Sequence, residues 1–496
     1  MTSSTKRIIV PVAGAGAGTL LLPASALADS LDAANNGALA DSAVINTLWV
    51  TIAAVLVLFM LAGLMCLEAG MSRMKNVGTL VPKALISMAV AAMAYYAVGF
   101  AFAFGNGSIL GHEGFLLRDY GDPQTAFGIM GLSDALIESK WLFQFAFCAV
   151  CLAIVWGSTL ERIKFHAHAV FALVFAAFIY PLASHWVFGG GWLQTSVGMQ
   201  DFAGSTAVHL VGATGALAGL IVLGARHGKF GADGKPRPIP GHSMLILGLG
   251  MFILLIGWFG FNAGSTLGVT DGRFAEVAMV TMLGAAGGIL GAYLATVVLQ
   301  RTVDIGMVCN GLIAGLVAIT APSGYVENWA APVIGVVGGL IAVPCILLFD
   351  RRVDDPVGVL SAHGVAGIWG TLSCGLFTAP RFAEYAGIGN PDGGLVYSGS
   401  FAQLGYQALG VIVVFALVLG LCLGTWYAIA KTIGLRVSAE AEIAGLDISE
   451  HGMYGYPEQF IPDAELYGVT TAPPAKLNGH SPAAAPAQGS AEAAPA

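Results

Sequence analysis

The chain has 496 residues, 56% hydrophobic and only 10% charged, with 68 glycines, a mean hydropathy of +0.78 and a formal net charge of -8. Soluble domains carry about 25% charged residues, so a soluble multidomain enzyme is excluded. A balance of 21 Lys+Arg against 29 Asp+Glu likewise excludes a basic nucleic-acid binder.

The N-terminus reads as a cleavable signal peptide over residues 1–28. Lys6 and Arg7 precede an Ala/Gly-rich apolar stretch, and Ala26-Leu27-Ala28 stands before the polar run DSLDAANNG. Left uncleaved, the same segment would be a retained anchor. Eleven apolar runs then follow at 44–67, 78–105, 141–160, 166–188, 203–225, 241–263, 274–300, 305–321, 331–349, 357–378 and 403–430. A helix of ~20 residues crosses a ~30 Å hydrocarbon core, so the expected fold class is an all-α polytopic membrane protein with eleven transmembrane helices over residues 29–435. The loop 106–140 carries Glu113, Asp119, Asp122, Asp134 and Glu138, either an acidic vestibule that concentrates cations or a solvated loop. The seven cysteines, Cys148-x-x-Cys151 among them, fall inside apolar runs and read as small buried hydrophobes. Neither a disulfide framework nor a zinc site is expected.

Placing the mature N-terminus outside puts fifteen of the 21 Lys and Arg residues on the cytoplasmic side and four in external loops, the other two lying in the signal peptide. That bias obeys the positive-inside rule and predicts an N-out/C-in topology. Residues 436–469 read as a cytoplasmic tail and 470–496 as an Ala/Pro-rich disordered end.

Eleven spans allow two halves of five, and one motif marks them. Asp201-x-x-Gly204-x-x-x-x-His209 opens the fifth span and Asp355-x-x-Gly358-x-x-x-x-His363 opens the tenth. The two spans run in opposite directions, so the pattern predicts a five-plus-five inverted repeat. If each Asp caps its helix, eight residues of helix carry each histidine ~12 Å inward, and the two imidazoles converge near the midplane. Ionisable groups within spans are rare and usually functional. Paired imidazoles can ligate a haem or metal, relay protons, or line a path for a small hydrogen-bonding solute. No CxxCH and no mid-span carboxylate accompany them, which disfavours a cofactor, and the scarcity of charge disfavours a large ionic substrate.

A second dense signal is Gly257-Trp258-Phe259-Gly260-Phe261-Asn262-Ala263-Gly264-Ser265 at the outer end of the sixth span. Its small residues permit close helix approach. Its aromatics offer faces to a cation or form an interfacial belt. Phe143, Gln144, Phe145 and Phe147 add aromatics in the third span, with Phe143 and Phe147 on one helical face.

These residues, together with Arg73-x-Lys75-Asn76, Glu161-Arg162, Asp354-Asp355-Pro356 and Gly445-Leu446-Asp447 through His451-Gly452, resemble the ammonium transporters of the Amt/Mep/Rh superfamily. The resemblance covers nearly the whole mature chain and implies no enzyme and no cofactor. It implies instead a homotrimer in a bacterial cytoplasmic membrane, each protomer with its own pore for ammonium or ammonia. Substrate recruitment falls by resemblance on Phe147, Phe188 and Ser265, the gate on Phe147 and Phe261, and the twin histidines on His209 and His363. Trp258, Asp201 and Gln144 line or support the pore. Phe188 stands where the family often has Trp, which implies weaker cation–π binding. The tail implies coupling between protomers and a PII-type signalling partner. Ser449 falls where some relatives carry a phosphorylatable Thr, although a helix-capping Ser is the plainer reading. Two other modes share the fold, electroneutral Rh-like NH3 passage and an ammonium sensor. A bis-His cytochrome is the remaining alternative.

Overall fold

A computed structural model describes residues 39–461; the segments expected to be a signal peptide (1–28) and an Ala/Pro-rich end (470–496) lie outside the described residues. Each of the eleven apolar runs is helical, with ends within four residues of those expected. In chain order they are α1 (Asp41–Met71), α2 (Met74–Phe104), α3 (Ile137–Ser158), α4 (Phe165–Val187), α5 (Ser205–Leu223), α6 (Met244–Ala263) and α7 (Arg273–Gln300). After these come α8 (Ile305–Thr320), α9 (Ala330–Phe349), α10 (Leu360–Val365 running on into Ala366–Phe377) and α11 (Ala402–Thr432). Nine of these are long and apolar enough to cross a membrane; α8 is a shorter apolar helix and α10 carries a histidine in its first turns. Among the described residues there are no strands, only isolated bridges.

Burial separates the helices into two roles. In its most apolar stretch α3 is 89% buried and α5 83%, against 28% for α11, so α3 and α5 form the centre and α11 the periphery. Large apolar side chains stay exposed on the outer helices, among them Leu48, Met93, Phe252, Leu290 and Ile412. An apolar exterior of this kind requires lipid as its solvent.

The close packing rests on glycine. A Cβ at Gly335 of α9 would sit 2.1 Å from the Gly284 carbonyl of α7, and one at Gly288 would sit 2.4 Å from the Gly311 carbonyl of α8. Backbones at this separation leave no room for any side chain.

Helices α5 and α10 begin at opposite ends of the molecule. Before α5, the Asp201 carboxylate accepts four backbone N–H groups, from Gly204, Ser205, Thr206 and Ala207, at 2.8–3.0 Å. Before α10, Asp355 accepts from Gly358 at 3.1 Å and Leu360 at 2.8 Å. Gly204 (φ +117°) and Gly358 (φ +78°) both take the left-handed turn that the motif needs, which a residue with a Cβ adopts only under strain. Each helix then opens as a π-helical stretch, Ser205–Leu210 and Leu360–Val365, that holds the histidine. The eight residues from Asp to His are therefore not all helix: the first few form the capping turn, and the helical depth is about half of ~12 Å.

At the tail end, charges tie the loops together. Arg226 after α5 makes three bonds to Asp354 before α10, at 2.7–2.9 Å. Glu161 after α3 accepts from Arg73 after α1 and faces Arg226 at 3.5 Å. The tail continues this lattice: Asp447 accepts from the backbone of Gly78 and Thr79 at 2.9 Å, and the Asn76 side chain accepts from Leu446 at 2.8 Å. The tail is thus sewn to the first turns of α2.

Candidate functional site

At the end opposite the tail, α3, α6 and the turn before α5 enclose a cavity of about 310 Å³. Phe147, Phe188, Gln144, Asp201 and Ser265 all line it. Phe188 meets Phe147 edge-on, ring centroids 6.5 Å apart. The cavity floor is Phe147 stacked flat on Phe261, with centroids 4.0 Å apart and planes 12° from parallel. Both rings are buried. Phe261 also lies on a π-helical stretch, Phe259–Ala263, so three of the residues in this line occupy the kind of helix irregularity that often marks a functional position.

Beneath the floor the line continues without interruption. The His209 ring lies 5.5 Å from Phe261, stacks on Trp258 at 5.1 Å, and reaches His363 with Nδ1 to Nδ1 at 3.2 Å. Trp258 is fixed by a hydrogen bond of 2.9 Å from Nε1 to Thr320 Oγ1. A contact between two Nδ1 atoms needs one proton between them, so one neutral ring donates and the other accepts. The accepting ring then carries its proton on Nε2. The His209 Nε2 is buried with no hydrogen-bond partner, an edge left open to a solute.

The polar groups of the cavity fit a small donor. Ser265 Oγ donates to the Phe261 carbonyl at 2.8 Å, which leaves its lone pairs free to accept. Gln144 Oε1 is buried and unpartnered. Asp201, by contrast, spends its carboxylate on four backbone N–H groups, so it holds the start of α5 in place. Acceptors beside aromatic faces suit a cation rich in N–H bonds.

Several groups at this site escaped the sequence. Phe202, Tyr325, Tyr385 and Arg273 also line the cavity, and the Arg273 guanidinium lies 4.5 Å from the Tyr385 ring. No spacing places these rim residues beside α3. The acidic loop contributes no carboxylate to the cavity lining. Asp134 instead binds Ser42 Oγ at 2.5 Å and Asn46 Nδ2 at 2.6 Å, tying down the start of α1. Ser449 Oγ donates to the Gly445 carbonyl of its own helix at 2.8 Å. Cys148 and Cys151 are buried free thiols.

Long apolar helices around a buried line of aromatic and imidazole rings define a multi-pass membrane protein built for a small solute. Residues 48–456 match the model of the Ammonium Transporter Family. The chain is 40% identical over 434 residues to "Ammonium transporter Amt2" of Archaeoglobus fulgidus, covering 85% of this chain and 90% of the relative. It is 33% identical to "Ammonium transporter 1 member 3" of Solanum lycopersicum, covering 88% of this chain and 98% of that one. Among solved structures, a chain described as "Sensor Amt Protein" superposes with a TM-score of 0.75 at 33% identity, covering 83% of this chain and 99% of that chain. Mep2 of Saccharomyces cerevisiae superposes at 0.74 with 28% identity, covering 84% and 93%. The chain belongs to the Ammonium Transporter Family, a family of transporters and not of enzymes.

Proposed function

We propose that this protein takes up ammonium across a bacterial cytoplasmic membrane as an eleven-span, N-out/C-in homotrimer with one pore in each protomer. NH4+ docks in the cavity against Phe147 and Phe188, with Ser265 and Gln144 as acceptors, and loses a proton there. NH3 slips past Phe147 and Phe261, lines up along His209 and His363, and leaves on the tail side, while the proton crosses separately. The observation that carries this reading is the unbroken series Phe147, Phe261, His209 and His363 leading down from the cavity. An uncharged aromatic floor cannot replace the hydration of NH4+, whereas NH3 crosses at low cost. A PII-type signalling protein at the cytoplasmic face completes the proposal.

The test is purified protein in liposomes, with uptake and current recorded together on an ammonium pulse. Uptake accompanied by current is expected. Uptake without current selects the electroneutral Rh-like mode. The likeness to the chain described as "Sensor Amt Protein" favours a second reading, an ammonium sensor on the same fold. Saturable ammonium binding with neither uptake nor current would select it.

A further inference from the structure

On the tail side of the histidines lies a second cavity of about 10 Å³, room for about one water molecule. Leu64, Ile154, Ile313 and Val357 are typical of its wall, and only three polar side chains break the aliphatic surface: His363, Asn310 and Glu68. Glu68 stands in the last turn of α1 and is 3% exposed. Its Oε1 lies over Gly157 of α3, so close that a Cβ there would come within 3.3 Å. Lys83 of α2, the cation whose charge acts on Glu68, directs its ammonium to the Trp156 carbonyl at 3.0 Å and to Thr159 Oγ1 at 3.3 Å. No contact within 4.0 Å joins it to Glu68 among the described residues. Asn310 Oδ1, which faces the same cavity, is buried without a hydrogen-bond partner.

A carboxylate that only balanced Lys83 would be expected in contact with it, because a buried charge is costly unless paired. Here it faces the cavity that one of the twin histidines also faces. Building on the uptake reading above, we infer that Glu68 is the proton acceptor on the tail side of the histidine pair. The proton given up by NH4+ resides transiently on the imidazole pair. An N–H bond of His363 breaks and an O–H bond forms on Glu68, directly or through one solute molecule in the cavity beside Asn310. The carboxylic acid then releases the proton to water at the tail-side mouth and the carboxylate is restored. Lys83, held nearby but out of contact, favours that return without trapping the carboxylate in a salt bridge. His168, buried with both ring nitrogens unpartnered and packed against Trp156, and Arg162 also lie on this side, with Asp355 and the tail-end network of Arg73, Glu161, Arg226 and Asp354 beyond them.

The experiment measures charge moved per ammonium taken up, in liposomes, for the full chain and for Glu68→Gln and Glu68→Asp. In Glu68→Gln the ratio should fall about tenfold or more, as expected for loss of one positioned acid–base group, with the remaining uptake carried as NH3 alone. Glu68→Asp, which keeps the carboxylate but draws it back, should give an intermediate ratio. An unchanged ratio in Glu68→Gln overturns the inference, as does joint loss of charge and uptake in protein that still elutes as the wild type does. If Glu68→Gln does not fold, Glu68→Asp decides: a ratio lowered about threefold supports the role, and a wild-type ratio defeats it. Wild-type protein that takes up no ammonium refutes the uptake reading itself, whereas wild-type uptake without charge leaves uptake standing and refutes the separate proton crossing and with it the role of Glu68.

Discussion

His209 and His363 share one hydrogen bond of 3.2 Å between Nδ1 atoms, so the pair works as a unit with a single proton in the bond. Substituting either ring breaks the unit. In His209→Ala and His363→Ala we expect the ammonium-evoked current to fall about tenfold or more, read beside uptake in the same liposomes; wild-type current in both variants would remove the histidines from proton transfer. At Phe188 the ring meets Phe147 edge-on and lines the cavity. A cation–π contact is worth about 0.5–1 kcal/mol at an exposed site, and an indole offers the stronger face. Phe188→Trp should therefore lower the half-saturating ammonium concentration about two- to fivefold, and a titration of initial uptake rate that shows no shift would defeat the idea.

At the scale of elements, two devices hold the site. The first is the pair of capping turns before α5 and α10. Each uses an Asp to gather backbone donors and a glycine at positive φ to redirect the chain, so each histidine is delivered from a rigid start. The second is glycine contact among α7, α8 and α9, where Gly288 sits 2.4 Å, in would-be Cβ distance, from the Gly311 carbonyl. Gly288→Ala must push helix backbones apart, and overpacking of this kind costs about 1–3 kcal/mol. The expected result is a melting temperature several degrees lower in detergent, and an unchanged one would show that α7 and α8 are free to separate. Trp258 depends on the same region through Thr320 of α8, so the variant should also slow uptake.

Across the whole molecule, the tail-end ion network joins loops that are far apart in sequence. Burial would raise the Asp354 carboxyl, but hydrogen bonds and charge from Arg226, with Arg162 behind, hold it down at about 2, below its ordinary 3.8. A folded-state value below the unfolded one means that the ionised form stabilises the fold. The contribution is complete above about pH 4 and is lost as pH falls through about 2, and its size is about 2 kcal/mol. Melting temperature in detergent should thus fall on acidification from pH 5 to pH 2 more steeply for the wild type than for Asp354→Asn, which begins lower at neutral pH. Parallel curves would show that Asp354 adds nothing to stability. The same network connects α1, α3, α5 and α10 to the start of α2, on which Asp447 of the tail is seated, a mechanical route from the tail to the helices that carry the histidines.

Hydropathy determined the helices by itself, because a lipid environment demands long apolar runs and leaves little freedom in where they end; the eleven segments read from the chain match helices within four residues at each end. The matched Asp-to-His spacing likewise carried the antiparallel relation of α5 and α10, since one capping motif recurs wherever the same turn must be built. Side-chain encounters between distant helices leave no such trace. That Glu68 and His363 face one cavity, that Arg273 and Tyr385 rim the other, and that Asp134 serves α1 and not a vestibule were decided by tertiary packing alone. Spacing along a helix fixes which face a residue occupies, but only the crossing of helices brings another face against it.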